Sequence, residues 1–182
     1  MKIYIARHGE TDANTTKKLM GQRLDEGLNE KGIHQADELA ESLKDATFDL
    51  VFSSPLKRAY ETAMAVSKKI GVPIITDPRL SERDFGDFTG KTWKEMSEAI
   101  ATDTNFKNID LELTYDYRPY GGECVDDVKK RFLSFVDALK EHYFDKKVLI
   151  VAHGGIIKLA HSIFNEKTID TPDNSSLHEF EI

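Results

Sequence analysis

Residues Val148-Leu149-Ile150-Val151-Ala152 form an unbroken apolar run that stops at His153-Gly154-Gly155. Such a run leaves no polar face for solvent, and its length suits a strand covered on both sides. Residues 2–7 and 49–53, with Leu50-Val51-Phe52 at the centre of the latter, have the same character. Shorter strands are predicted at 73–76 and 177–182. Helical periodicity fills the intervals. Ile33, Ala36, Leu39, Ala40 and Leu43 mark an amphipathic helix over 30–44. Leu56, Ala59, Ala63, Val66 and Ile70 mark a second, with Pro55 in its first turn and Gly71 closing it. A long helix follows Val125, and another begins at Gly154-Gly155. This alternation predicts an α/β fold: a three-layer α/β/α sandwich around a mostly parallel central sheet.

The 182 residues carry 40% hydrophobic and 31% charged side chains, a globular balance, and no linker or repeat divides them. One domain over 1–182 is therefore expected, with an irregular excursion around 80–122 covering the active site. Residues 2–29 beyond the first strand read as loop, as do 80–90. Trp93, Met96 and Ile100 suggest a brief helix, whereas 102–122 shows no clear period. No apolar run reaches the ~20 residues of a membrane span, and the start of the chain lacks a secretory pattern, so a cytoplasmic location is expected. A lone cysteine, Cys124, excludes an internal disulfide and a cysteine-built zinc site. The net charge of −7 makes nucleic acid and anionic membranes poor partners.

In mostly parallel sheets ligands bind beyond the carboxyl ends of the strands. Three polar clusters fall at such ends: Arg7-His8, Ser53 to Arg58, and His153-Gly154-Gly155. Phosphoryl transfer needs an in-line nucleophile and donors around the equatorial oxygens. A neutral imidazole suits the first role and arginine, with its charged planar fork, the second. A helix starting near Gly154 adds backbone N–H groups facing an anion. Alone, each residue has an ordinary structural reading; their joint position at one sheet edge points to a phosphate site.

The segment Arg7-His8-Gly9-Glu10-Thr11 resembles the signature of the histidine phosphatase superfamily, also called phosphoglycerate mutase-like. Asn14, Gly21 to Asp25, Leu28 to Gly32, Ser53 to Thr62, Leu80 to Gly90, Gly121-Gly122-Glu123 and Val151 to Gly155 resemble its further motifs in the same order. The resemblance implies His8 as nucleophile. It implies Arg7, Arg58 and His153 as the phosphate pocket, with Asn14, Gly21, Gln22 and Gly154 as further substrate or phosphate contacts. It implies Glu82 as general acid and then base, for which a raised carboxyl pKa is expected. No cofactor and no metal is implied, and the substrate is expected to be a small phosphorylated metabolite.

The remaining histidines have no metal-ligand spacing. His34 reads as solvated, His142 as meeting a helix end, and His161 and His178 as structural. Glu123 reads as a helix N-terminal carboxylate or as a second carboxylate at the site, the first being favoured. Arg23 and Lys18 are candidates for touching a substrate tail. Three functions remain open: a hydrolase acting through phospho-His8, a mutase returning the group to a sugar acid, or a non-catalytic phospho-ligand binder. Trp93 stands where the resembled mutases carry a substrate-binding lysine, and residues 114–119 hold one arginine where they carry a pair. Both departures favour the hydrolase, and the acid loop with Phe85-Gly86-Asp87-Phe88-Thr89-Gly90 resembles that of α-ribazole and broad-specificity phosphatases.

Overall fold

The structure is a computed structural model that describes residues 1–100 and 105–182. Its centre is a five-stranded sheet in the order β3-β2-β4-β1-β5. Strands β1 (Lys2–Arg7), β2 (Leu50–Ser53), β3 (Ile74–Thr76) and β4 (Val148–Ala152) run parallel, and β5 (Leu177–Glu181) is antiparallel on the β1 edge. The expected mostly parallel sandwich is what forms.

The pleat sorts the strands' side chains between two cores. Ile3, Ile5, Phe52, Val148, Ile150 and Ala152 face one; Ala6, Val51, Leu149 and Val151 face the other. Helices α2 (Glu30–Ser42) and α3 (Lys57–Ile70) cover the second through Leu39, Ala40, Ala59, Ala63 and Val66. Helices α6 (Val125–Tyr143) and α7 (Gly154–Phe164) cover the first through Val128, Phe132, Phe135, Ile156 and Ile157. All five residues of β4 are buried, as its composition requires. No helix among the described residues is long and apolar enough to cross a membrane.

The differences from expectation are local. Helix α3 begins at Lys57, with Leu56 as its N-cap, so Pro55 lies outside it rather than in its first turn. The first connection contains a one-turn helix, α1 (Asp12–Thr15), closed by a reciprocal Thr11–Asn14 capping box. Residues 80–90 are loop except for single 3₁₀ turns at Pro78–Leu80 and Gly86–Phe88. Helix α4 (Trp93–Ala99) forms where Trp93 and Met96 place it. The excursion contains a further short helix, α5 (Phe106–Leu111), which the aperiodic sequence hides. Residues 101–104, part of that excursion, lie outside the described residues.

Candidate active site

The carboxyl ends of β1, β2 and β4 bring the three polar clusters together. The His8 N–H donates to Ala152 O at 3.1 Å, and Ser54 N–H to Val151 O at 3.0 Å, so both cross onto β4 just before His153. The carbonyl of His8 accepts from Ser175 N–H and from Asn174 Nδ2 at 3.0 Å. Its backbone is thus held by β4 on one side and by the segment entering β5 on the other.

The His8 ring is buried, with Nδ1 2.7 Å from Gly9 O. A carbonyl only accepts, so Nδ1 carries the proton and Nε2 keeps its lone pair. Burial, together with His153, Arg58 and Arg7, pushes the imidazole well below its usual pKa. At neutral pH it is an uncharged imidazole of defined tautomer, with the Nε2 lone pair available. His153, the N-cap of α7, lies with its ring centroid 5.2 Å from that of His8, and its Nε2 is 2.8 Å from Ser54 Oγ. Burial and then Arg58 depress its pKa as well.

Arg58 sits in the first turn of α3, fully buried. Its Nη2 donates to Gly21 O at 2.8 Å and its Nη1 to Leu24 O at 3.2 Å. Burial pulls its pKa down to about 10, so it remains cationic near neutrality. Gly21 has φ +54°, and a side chain there would press on Arg83 O; the bend aims its carbonyl at Arg58. Arg7 donates through Nη1 to Pro172 O. Arg7 Nε, Arg58 Nε and His153 Nδ1 are buried without a protein partner. Leaving such groups unpaired is costly, and an anion gathering them relieves that cost.

Glu82 closes the site from the segment Leu80 to Gly90, the acid loop. Its Oε2 accepts from Gly155 N–H at 3.0 Å and its Oε1 from Arg83 N–H at 2.9 Å. A Cβ on Gly155 would overlap the Glu82 carboxylate and the Arg83 guanidinium, so only glycine lets α7 approach this closely. The expected rise in the Glu82 pKa is not found. Burial pushes it up, but the charge of Arg83, the N–H groups of Gly155 and Arg83 and the charge of Arg58 outweigh burial, and the carboxyl is held below its usual value.

Two networks that sequence reasoning missed hold the acid loop. In the first, Arg131 of α6 donates to the carbonyls of Arg79, Ser81 and Glu82 at 2.6–3.1 Å and to both Glu123 oxygens. Glu123 also accepts from Asp84 N–H and from Gln22 Nε2, each at 2.9 Å. Glu123 is therefore neither a dipole-favoured helix carboxylate nor a second acid at the site; it pins the loop to α6. Gln22, expected at the phosphate, donates to Glu123 through Nε2. In the second network, Arg83 pairs with Asp110 of α5 and lies over the rings of Phe85 and Tyr115. Lys158 of α7 donates to Asp110 Oδ2 at 2.6 Å and to its carbonyl at 2.9 Å. All three side chains are buried. Lys158 interrupts an otherwise apolar helix face, a signal that it needed a buried partner.

Asn14 reaches the site with its Oδ1 occupied by Thr11 N–H and Asn174 Nδ2, which leaves its amide nitrogen to be offered as a donor. Gly154 is the first residue of α7, and its Cα lies beside Arg7, where the helix adds partial positive charge. Arg23 instead pairs with Asp84 and donates to Gly121 O. His161 and His178 hydrogen-bond each other at 3.0 Å, remote from the site; His34 is exposed. Cys124 is buried at the head of α6. Among the described residues no group of three or more metal-ligating side chains is gathered.

In front of these groups lies a cavity of about 480 Å³, to which six cationic side chains contribute: Arg7, Lys17, Lys18, Arg58, Arg83 and Lys107. Glu82 and Asp110 are its acids. A larger groove of about 650 Å³ runs between α2 and α3 past Ile33, Met64 and Ile74, away from every residue of this cluster, and the chemistry assigns the site to the smaller one.

Residues 3–182 match the model of the histidine phosphatase superfamily, branch 1. The chain belongs to this family. It is 32% identical over 174 residues to the uncharacterized phosphatase PhoE of Bacillus subtilis, covering 96% of this chain and 81% of that protein. It is 35% identical over 163 residues to a metal-independent phosphoserine phosphatase of Arabidopsis thaliana, covering 86% of this chain and 66% of the other. Among solved structures, a mycobacterial glucosyl-3-phosphoglycerate phosphatase complexed with VO3 superposes with a TM-score of 0.86 at 31% identity, covering 98% of this chain and 91% of that one.

The depressed imidazole pKa values have a consequence for stability. An unfolded histidine titrates near ~6.5, so just below that pH the unfolded chain binds protons that folded His8 and His153 refuse. Their neutral burial costs nothing above that pH, and stability falls as pH drops through it. Each contributes a slope approaching about 1.4 kcal/mol per pH unit. Urea unfolding between pH 7.5 and 5.5 is expected to show this loss, and His8→Ala to make it shallower. A flat wild-type profile would mean that these rings accept protons in place.

Proposed function

We propose that this chain is a phosphomonoester hydrolase working through a phosphohistidine on His8. The observation that carries the reading is the buried His8 ring, neutral and fixed with Nε2 free, facing unpartnered nitrogens of Arg7, Arg58 and His153. These donors, with Asn14 and the head of α7, hold the phosphoryl oxygens while Nε2 attacks in line. The phosphorus–oxygen bond to the leaving group breaks as the phosphorus–nitrogen bond forms. Glu82 protonates the leaving oxygen, then takes a proton from the water that attacks phospho-His8. The dianionic phosphate supplies the charge that lifts Glu82 from its depressed value, so substrate binding itself charges the acid with its proton.

The mutase reading is less well supported. Trp93 lines the cavity where a lysine would be expected. Arg118, the single arginine of 114–119, is exposed and pairs with Asp116. The relatives' names, phosphoserine phosphatase and glucosyl-3-phosphoglycerate phosphatase, support a small phosphorylated substrate. A cytoplasmic enzyme needing neither metal nor organic cofactor fits this chemistry.

Glu82→Gln tests the acid role. Turnover of alkyl phosphates, whose leaving groups are poor, is expected to fall on the order of 10²–10³-fold, and that of p-nitrophenyl phosphate far less. Equal losses for both would remove Glu82 from proton transfer.

A further inference from the structure

The phosphate-binding nitrogens occupy only one end of the cavity. Lys17, Lys18 and Lys107 line it as well, and none of them forms an ion pair or hydrogen bond with its side chain among the described residues. The two acids of the lining are already committed: Asp110 to Arg83 and Lys158, and Glu82 to Gly155 and Arg83. A bound phosphate therefore answers Arg7 and Arg58 and leaves the three lysines without a salt bridge, the charge of Lys18 reaching only as far as Glu95 at a distance, in a protein whose net charge is −7.

The side chains of these lysines are exposed, but the backbone that carries them is fixed. Lys17 follows α1 with φ +57°, a left-handed backbone that is unfavourable for a residue with a Cβ. The turn holds it there through Lys17 N–H to Asn14 O at 3.1 Å, and Asn14 itself reaches the site. The next residues are tied to the acid loop by reciprocal bonds, Leu19 N–H to Lys91 O and Gly90 N–H to Leu19 O, both at 2.8 Å. Strain retained beside a site points to a role. Lys107 precedes Asp110 by three residues on α5, so the two share a helix face. Asp110 is rooted inward by Arg83 and Lys158, which holds that face, and Lys107 with it, over the cavity. Trp93 and Phe85, packed edge to face at 5.8 Å, form an apolar wall of the same cavity.

We propose that Lys17, Lys18 and Lys107 form a second anion subsite, and that the preferred substrate is a phosphomonoester whose tail carries a carboxylate or a second phosphate. This rests on the phosphatase reading above. The tail crosses the Trp93–Phe85 wall, and its anion meets the lysines. The substrate is then supplied by a reaction that phosphorylates an already anionic compound.

The test is a set of alkyl phosphates of three to six carbons, each ending in a hydroxyl, a carboxylate or a phosphate, assayed beside phenyl phosphate. At low ionic strength kcat/KM for at least one anion-ended ester should exceed that of its hydroxyl-ended match by about 10-fold, taking about 3-fold per exposed ion pair, and the advantage should shrink in 0.5 M salt. Which anion gains more separates carboxylate from phosphate. Lys17→Asn, which tolerates the left-handed backbone, Lys18→Gln and Lys107→Gln should each reduce the ratio through KM, and the triple variant should abolish it. Equal kcat/KM for anionic and hydroxyl tails, or a triple variant that keeps the preference, would overturn the proposal. If phenyl phosphate is not hydrolysed, the catalytic reading fails separately. Calorimetric ranking of the same esters then still supports or overturns the subsite.

Discussion

Replacing His8 with alanine is expected to abolish hydrolysis of p-nitrophenyl phosphate, with a loss on the order of 10⁴-fold or more. Nothing else in the cluster can take over. Among the described residues His153 is the other imidazole at this edge; its Nε2 is engaged with Ser54 Oγ, and its Nδ1 serves as a donor to the phosphate, which leaves it no lone pair for attack. The arginines remain cationic and have no lone pair to donate. Electrostatic binding by Arg7, Arg58 and His153 survives the substitution, so the variant should still bind phosphate. Rapid quenching of a labelled reaction should give an acid-labile, base-stable phosphoprotein with the native chain and none with His8→Ala. A variant keeping more than about 1% of the native rate, or label that persists without His8, would remove this residue from the nucleophilic role.

His8 was legible in the sequence for a physical reason. A buried parallel strand announces itself by an apolar run, and the residues just past its end are where a sheet of this kind exposes chemistry. Arg7-His8, Ser54 to Arg58 and His153 all carry that signature, and the register of β1, β2 and β4 brings them together. Helices α2, α3 and α6 were legible because one face of each meets a sheet. The clamps around Glu82 were not. Gln22, Glu123 and Arg131 come from three separate segments, and no spacing or periodicity pairs them. Asp110 lies on α5, too short to show a period. Gly155 acts by having no side chain where Glu82 approaches, which a sequence records only as a glycine. The direction of the Glu82 pKa was missed because the charge of Arg83, whose side chain the sequence does not place, and the backbone N–H groups of Gly155 and Arg83, which residue type does not reveal, outweigh burial.

Asp110→Ala should be among the most damaging substitutions to stability, at about 3–5 kcal/mol. The deletion strands two cations, Arg83 and Lys158, with side chains 6% and 3% exposed. Burial already holds Lys158 below its usual pKa, although Asp110 opposes the fall; without Asp110 it must shed its proton or stay charged and unpaired. Arg83 cannot shed its proton, and Glu82 would be its remaining carboxylate partner. The urea midpoint should fall with little change in slope, which marks lost stability rather than an altered unfolded state. A loss below about 1 kcal/mol would mean that the triad is solvated in solution. Adding Lys158→Met to Asp110→Ala removes one stranded charge and should recover part of the stability. It should not recover catalysis, because the whole charge of Arg83 then falls on Glu82 and holds it ionised more firmly. The double variant is therefore expected to fold better than Asp110→Ala while turning over alkyl phosphates no faster. Recovery of both together would show that Asp110 acts on stability alone and leaves the acid untouched.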